Sequence, residues 1–284
     1  MRLRHVAQRE AKLLSFLRQE LALSSTLVKR MKFRGAYTVN GERVFTNHPV
    51  RVGDVIEVCL DEDVPEYPAQ EGELTILYED DALIAIDKPA GILMHPSFAR
   101  STDTLANYLL GYYQKTGQAC AVHPVSRLDR DTFGVVLLAK NSHAHAKMHA
   151  MQKLGQIEKI YNAAVLGGPK EQEGIIDAPI ARLSETGMLR GVREDGRPAR
   201  SKFRVLEQKN GFSLLQLQPL TGRTHQLRVH CAYMGFPILG DPQYGCDDLC
   251  LPHQQLCAVG LRFVHPFTGN FVEIASKQAV CLDF

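Results

Sequence analysis

The chain has 284 residues, 45% apolar and 23% charged, which are the proportions of an ordinary globular protein that buries a full core without disulfide bonds. Its net charge of only +2 excludes a uniformly basic surface, and no segment approaches the run of about 18 apolar residues that a membrane span needs. Residues 1–60 nevertheless hold 11 Lys or Arg against 5 Asp or Glu, so we expect an anionic partner at this end. Seven irregularly spaced cysteines and the absence of a signal-peptide pattern predict a cytoplasmic protein with free thiols.

The N-terminal residues predict a compact unit of two helices and several short strands. Apolar residues at helical spacing indicate a helix over residues 12–23, and a second helix, capped by Ser24 or Ser25, over residues 26–32. Asn40-Gly41 is typical of a tight hairpin turn, and residues 55–58 have the pattern of a strand.

A larger domain is predicted over residues 74–284, joined to a first domain over residues 1–62 by an acidic, proline-containing linker at 63–73. Residues 174–200 predict a loop, with a hairpin as the open alternative. The other segments alternate between strand and helix patterns. The predicted strands lie at residues 74–78, 83–87, 135–139, 159–165, 201–208, 212–218 and 256–263, and the predicted helices at 104–114, at 141–154 and from about 222 to 235.

Charged residues are concentrated immediately before the predicted buried strand at residues 135–139. Arg127, Asp129, Arg130 and Asp131 lie within five positions. Ionisable groups on a loop above a rigid strand are typical of catalytic loops. The alternative reading is a surface turn with an exposed ion pair of little energetic value.

Residues 127–134, Arg-Leu-Asp-Arg-Asp-Thr-Phe-Gly, closely resemble the His-Arg-Leu-Asp-x-x-Thr-Ser-Gly signature of the RluA family of pseudouridine synthases. Ser126 and Phe133 depart from that signature. Further segments resemble the family's motifs in the correct order: 88–95 (Lys-Pro-x-Gly-x-x-x-His), 159–165 (Lys-x-Tyr-x-Ala-x-Val), 222–230 (Gly-Arg-Thr-His-Gln-x-Arg-x-His), 236–245, and a closing pattern over 256–266 in which Cys257 replaces a His. The resemblance implies an α+β fold with a mixed, mostly antiparallel central sheet flanked by helices and loops.

The same resemblance implies how the site residues act. Asp129 would be the catalytic carboxylate, and Tyr161 would line the uracil pocket and move protons. Arg223 would pair with Asp129 and keep it ionised. Arg127 would fill the place that the target base leaves in the RNA. Whether Asp129 attacks the sugar, attacks the base or removes a sugar proton stays open.

The implied activity is the isomerisation of uridine to pseudouridine in structured RNA, without any cofactor or metal. Ribosomal RNA is the favoured substrate and transfer RNA the alternative. Two other functions stay open: an RNA-binding protein that has lost catalysis, and a hydrolase that releases free uracil. We expect a monomer with no obligate protein partner and no membrane association.

The N-terminal helices and hairpin resemble the S-four-type RNA-binding domain, named after a ribosomal protein and small and α/β in type. By this resemblance the second helix and the hairpin face RNA. They would present a basic group consisting of Lys29, Arg30, Lys32 and Arg34. Each phosphate contact would make binding salt-sensitive.

Two further clusters carry no predicted function. Cys246, Cys250, His253 and Cys257 have zinc-ligand chemistry but fit no standard spacing, so they are interpreted as a loop with incidental thiols. His145 and His149 lie four residues apart on a predicted helix, without the Glu of a metalloprotease motif. We interpret them as surface residues.

Overall fold

The computed structural model describes residues 1–32, 36–60, 67–97, 100–185, 187–245 and 251–282. Its first 60 residues hold a four-stranded sheet and a two-stranded pair, and the rest of the described chain holds a large mixed sheet and a second two-stranded pair. The predicted α+β class, with a mostly antiparallel central sheet, is confirmed.

The N-terminal unit, residues 1–60, pairs its strands in the order β1-β6-β3-β4, with a small second pair β2-β5. Its elements are β1 (Arg2–Val6), β2 (Ala11–Lys12), α1 (Leu13–Gln19), α2 (Ser25–Lys32), β3 (Tyr37–Val39), β4 (Glu42–Arg43), β5 (Pro49–Val50) and β6 (Val55–Cys59). Asn40 and Gly41 both have positive φ, as the predicted hairpin turn requires. The first helix ends at Gln19 rather than at residue 23.

This unit has a hydrophobic core of its own, built from buried residues between Ala7 and Leu60. It also contacts the remainder of the chain, because the Arg30 guanidinium donates to Ser142 Oγ at 3.1 Å. Of the predicted linker at 63–73, residues 63–66 lie outside the described residues. Residues from Tyr67 onward pack on a later helix, where Asn107 Nδ2 donates to Pro68 O at 2.7 Å.

The elements after the N-terminal unit are β7 (Ile76–Glu79), β8 (Leu83–Lys88), α3 (Leu105–Lys115), β9 (His123–Pro124), β10 (Phe133–Ala139), α4 (Ser142–Lys153), β11 (Ile157–Leu166), β12 (Glu173–Asp177), β13 (Ile180–Arg182), β14 (Arg190–Val192), β15 (Arg200–Lys209), β16 (Phe212–Pro219), α5 (Gln226–Tyr233), β17 (Leu256–Val264) and β18 (Phe271–Ala275). The large sheet runs in the order β12-β15-β16-β11-β17-β10-β8-β7, with β18 paired to β17 and β9 to β10. Strands β13 and β14 pair with each other, as a separate hairpin.

Most predicted elements are present, with shifts at their ends. The segment at 174–200 contains the β13–β14 hairpin that the sequence left open. Strands β1, β9, β12 and β18 are among those that the predictions do not include. None of the helices in the described part of the chain has the length and apolar character needed to cross a bilayer.

Strand β10 carries the charged loop and lies in the centre of the sheet. It is antiparallel to β8 along its whole length and parallel to β17 only at Phe133 and Gly134. Gly134 has φ +102°, and a Cβ at this position would overlap the backbone carbonyl of Ala258. A glycine is therefore required where the loop joins the sheet.

We expect Gly134→Ala to lower the free energy of unfolding by about 2–5 kcal/mol, since left-handed strain of ~1–2 kcal/mol adds to overpacking of ~1–3 kcal/mol. Gly155→Ala is the matched control, because Gly155 also has positive φ but would place its Cβ in open space. Chemical denaturation of both variants checks this. Equal losses would mean that the close approach of β10 and β17 contributes nothing.

Candidate active site

The loop at residues 125–132 is fastened to the sheet at both of its ends. At the start, the backbone N–H of Ser126 donates to Leu137 O, and the Ser126 hydroxyl accepts from the Leu137 N–H at 3.4 Å. At the end, the Thr132 hydroxyl is hydrogen-bonded by the amide of Gln254. Phe133, the other departure from the family signature, is buried with its ring against His253. Both departures therefore have structural partners that hold the loop.

A buried lysine supports the middle of the loop. Lys88 is 0% exposed, and its Nζ donates to Arg130 O at 2.8 Å and to the carbonyls of Pro89 and Ile92. Burial lowers the pKa of Lys88 to about 8, against the opposing charges of Asp131 and Asp129. Three carbonyl acceptors use all three ammonium hydrogens.

Asp129 is held by Arg228, whose Nη1 donates to Asp129 Oδ2 at 2.8 Å. The same guanidinium donates to both oxygens of Asp241, at 2.7 and 2.8 Å, and to Gln243 Oε1 at 3.0 Å. The side chain of Asp129 is 30% exposed, whereas those of Arg228 and Asp241 are 6% and 0% exposed. Asp129 is thus the carboxylate of this network that a substrate can reach.

The electrostatics of the network favour the charged forms. Burial alone would raise the pKa of Asp241, but the hydrogen bonds and charge of Arg228 outweigh it and hold that pKa below its ordinary value. Burial likewise opposes the charge of Arg228, whose pKa is raised by the hydrogen bonds and charges of Asp241 and Asp129.

The predicted pairing of Arg223 with Asp129 is wrong. Arg223 lies in the non-helical segment before α5, and its Nε donates to Pro198 O at 2.9 Å. Arg228 lies in the first turns of α5, where a side chain points back towards the helix N-terminus, and this direction brings its guanidinium to Asp129. The first arginine of the motif is structural, and the second reaches the catalytic loop.

His225 lies beside the same carboxylate. It has φ 56°, the left-handed region that a non-glycine residue rarely adopts, immediately before α5. Its Nε2 is 3.9 Å from Asp129 Oδ2, and its Nδ1 is hydrogen-bonded to the Tyr244 hydroxyl at 2.9 Å. Burial, and then the charges of Arg228 and Arg190, lower the pKa of His225 despite Asp129, so the ring is neutral at physiological pH.

Tyr161 lies on β11, half-buried between two parts of the core. Burial raises the pKa of its phenol, and the charge of Asp129 raises it further. The phenol is therefore protonated at physiological pH and able to donate a hydrogen bond. Arg223 contacts the Pro198 carbonyl instead of Asp129.

The predicted RNA-binding residues lie on the surface in two places. Arg127 is exposed on the catalytic loop, and Lys29 and Lys32 are exposed on α2. Arg30 is only half-buried and contacts Ser142. Arg34 lies outside the described residues.

Sequence reasoning missed Arg228, Asp241, His225 and Lys88 as site residues. All four lie inside segments that resemble the family's motifs. The sequence therefore shows that these residue types are present, but not where their side chains point. Cys246 and Cys250 lie outside the described residues. In the part of the chain that is described, no group of three or more His, Cys, Asp or Glu side chains could hold a metal ion.

We expect Asp241→Asn to lower the free energy of unfolding by about 3 kcal/mol, because it leaves the buried charge of Arg228 without its bidentate partner. The folded-state pKa of Asp241 is depressed below its ordinary value of 3.8. Its stabilisation is therefore fully present above that value and is lost as pH falls through the lower folded-state pKa.

Denaturation of wild type and Asp241→Asn across pH measures this. The difference between them should be constant from about pH 5 to pH 8 and should shrink in stronger acid. A difference that grows in acid would contradict the assigned direction.

Known proteins with similar sequences and structures agree with this geometry. A sequence profile of the RNA pseudouridylate synthase family matches residues 82–233. An uncharacterized RNA pseudouridine synthase of Bacillus subtilis is 38% identical over 252 residues, covering 88% of this chain and 89% of that protein. The ribosomal large subunit pseudouridine synthase D of Vibrio cholerae is 36% identical over 268 residues, covering 88% and 82%.

Among solved structures, human RNA pseudouridylate synthase domain containing 1 superimposes with a TM-score of 0.62 at 27% identity, covering 74% of this chain and 86% of that one. This match confirms the pseudouridine synthase fold that the motifs predict. The chain therefore belongs to the RNA pseudouridylate synthase family, and it is an RNA pseudouridine synthase, an isomerase.

Proposed function

We propose that this enzyme isomerises a uridine of ribosomal RNA with Asp129 as its catalytic carboxylate. The observation that carries the proposal is the 2.8 Å bond from the buried Arg228 guanidinium to the partly exposed Asp129 carboxylate. An anchored cation beside an accessible anion holds that anion in a fixed orientation towards a substrate.

The reaction needs such a group. The bond between the sugar's anomeric carbon and uracil N1 breaks, the base rotates, and a bond to ring carbon five forms. The proton on that carbon leaves and N1 gains one, so the reaction needs no oxidant, reductant or energy source. Attack by Asp129 on the sugar or base, and removal of a sugar proton, all require the same ionised oxygen.

Tyr161 is proposed to stack on the uracil and to move protons during rejoining. Its raised pKa supports a neutral phenol on which the charge of Asp129 acts. Its position between two parts of the core supports a ring held in one orientation while the base rotates.

The target uridine must leave its stack to reach Asp129, at a cost of a few kcal/mol. We propose that the exposed Arg127, two residues before Asp129, occupies the vacated place in the RNA. We also propose that Lys29 and Lys32 bind phosphates through an S-four-type domain at residues 1–62, which the separate N-terminal core supports.

Three relatives support ribosomal RNA as the substrate. The proteins of Vibrio cholerae, Pseudomonas aeruginosa and Nitrosomonas europaea are named ribosomal large subunit pseudouridine synthase D, at 36%, 36% and 38% identity. A cytoplasmic location follows from such a substrate.

Pseudouridine mapping tests the substrate. RNA from cells that express wild type, Asp129→Asn or no copy of the gene is compared at every uridine. We expect one or more ribosomal pseudouridines that require the wild-type chain. If only transfer RNA loses pseudouridines when the gene is absent, the ribosomal substrate is wrong. If cells with Asp129→Asn keep the same pseudouridines as wild type, the catalytic role of Asp129 is wrong.

We expect Arg228→Lys to lower kcat by about 100-fold, because a lysine cannot hold Asp241 with two bonds and still reach Asp129 in the same geometry. Arg223→Lys is the matched control and should lose less than about tenfold. Release of tritium from carbon five of labelled uridine in RNA measures both rates. A larger loss for Arg223→Lys would return the catalytic role to the first arginine.

A further inference from the structure

Three histidine rings form a column beside the catalytic loop. The rings of His123 and His145 have centroids 5.5 Å apart at an interplanar angle of 26°. The rings of His145 and His149 follow at 6.2 Å and 20°. Both separations are typical of offset-stacked aromatic rings. His145 is half-buried and His149 is exposed, so the column ends in an open ring.

The column connects the catalytic loop to helix α4. His123 lies on β9, four residues before Arg127, and the charges of both residues act on the half-buried ring of His95. Farther along α4, the Gln152 amide is placed to donate to Val125 O at 2.9 Å. The chain that leads into the Asp129 loop therefore runs along the helix that carries His145 and His149.

The same face of α4 reaches the N-terminal unit. Ser142, His145 and His149 are spaced at i, i+3 and i+7, so they lie on one side of the helix. Arg30 of α2 contacts Ser142, at the start of that face. Exposed Lys29 and Lys32 lie on the same helix as Arg30.

Neutral rings are suited to stacking rather than to phosphate binding. Burial lowers the pKa of His145, and the neighbouring His123 and His149 lower it further, against a hydrogen bond to the Pro124 carbonyl. The middle ring is thus uncharged at physiological pH. Imidazole rings are among the side chains on which unpaired RNA bases stack.

We propose that the exposed ring of His149 is a stacking platform for an unpaired base flanking the target uridine, held in place by the rings of His145 and His123. The proposal rests on the proposed RNA substrate. The base continues the column outward from the exposed ring of His149. Because every base has a flat face that can stack, the His149 platform would accept any of the four bases at this position.

Binding measurements with single substitutions test this. The probe is a ribosomal RNA fragment that contains the mapped uridine with its flanking nucleotides, and a second fragment trimmed to the nucleotides nearest the target. For the long fragment, we expect His149→Ala to raise Kd about fivefold or more, the loss that corresponds to one base stacked on one ring. The trimmed fragment should bind both proteins equally.

Two replacements separate stacking from charge. His149→Phe should restore wild-type Kd, and the salt dependence of Kd should be the same in wild type, His149→Ala and His149→Phe. Restoration by His149→Lys but not by His149→Phe would overturn stacking in favour of a phosphate contact, which changes the salt slope by about one. Gln114→Ala, an exposed position on α3, is the control and should bind both fragments like wild type.

Pseudouridine formation is read separately in the same samples. Wild type that binds the long fragment but forms no pseudouridine would overturn the proposed substrate. An unchanged Kd for His149→Ala on a fragment that wild type modifies would overturn the platform alone.

Discussion

The partly exposed carboxylate of Asp129 depends on a guanidinium that is itself held by a second carboxylate. A buried Arg is costly unless its charge and its donors are satisfied, and Asp241 meets most of this need with two bonds from the side away from solvent. The bidentate grip also fixes the plane of the guanidinium. One nitrogen then remains aimed at Asp129, so the position of the Asp129 carboxylate is set by a residue 99 positions later in the chain.

The opposite side of the loop is held by the sheet. Lys88 anchors the Arg130 carbonyl from the end of β8, and Gly134 allows the first residues of β10 to lie against β17. Neither contact involves the reacting atoms. Together they fasten the loop to the sheet, so the Asp129–Arg228 distance is set by how the sheet and α5 pack rather than by the loop alone.

The sequence predicts the framework better than the directions of its side chains. The apolar run after Gly134, the Asn40-Gly41 turn and the helical spacing in α3 and α4 are local signals, and the structure has all of them. β1 is not predicted because it contains few apolar residues, and its arginines interrupt the alternating apolar pattern that is typical of a strand. The choice between Arg223 and Arg228 is of another kind, since both belong to one motif. The choice depends on the residue at which α5 begins. His225 sets that start by adopting a left-handed backbone conformation, which no pattern in the sequence predicts.

The charges at the site explain why the basic groups lie elsewhere. Asp129 and Asp241 share the guanidinium of Arg228, so this cation is already occupied by carboxylates and does not attract an RNA backbone. Arg130 is likewise paired with its neighbour Asp131 at 2.8 Å. The proposed phosphate contacts, Arg127 on the loop and Lys29 and Lys32 of α2, would supply that attraction. An enzyme with net charge near zero can in this way bind a polyanion and still present an ionised carboxylate to one of its nucleotides, because the two kinds of charge lie in different parts of the surface.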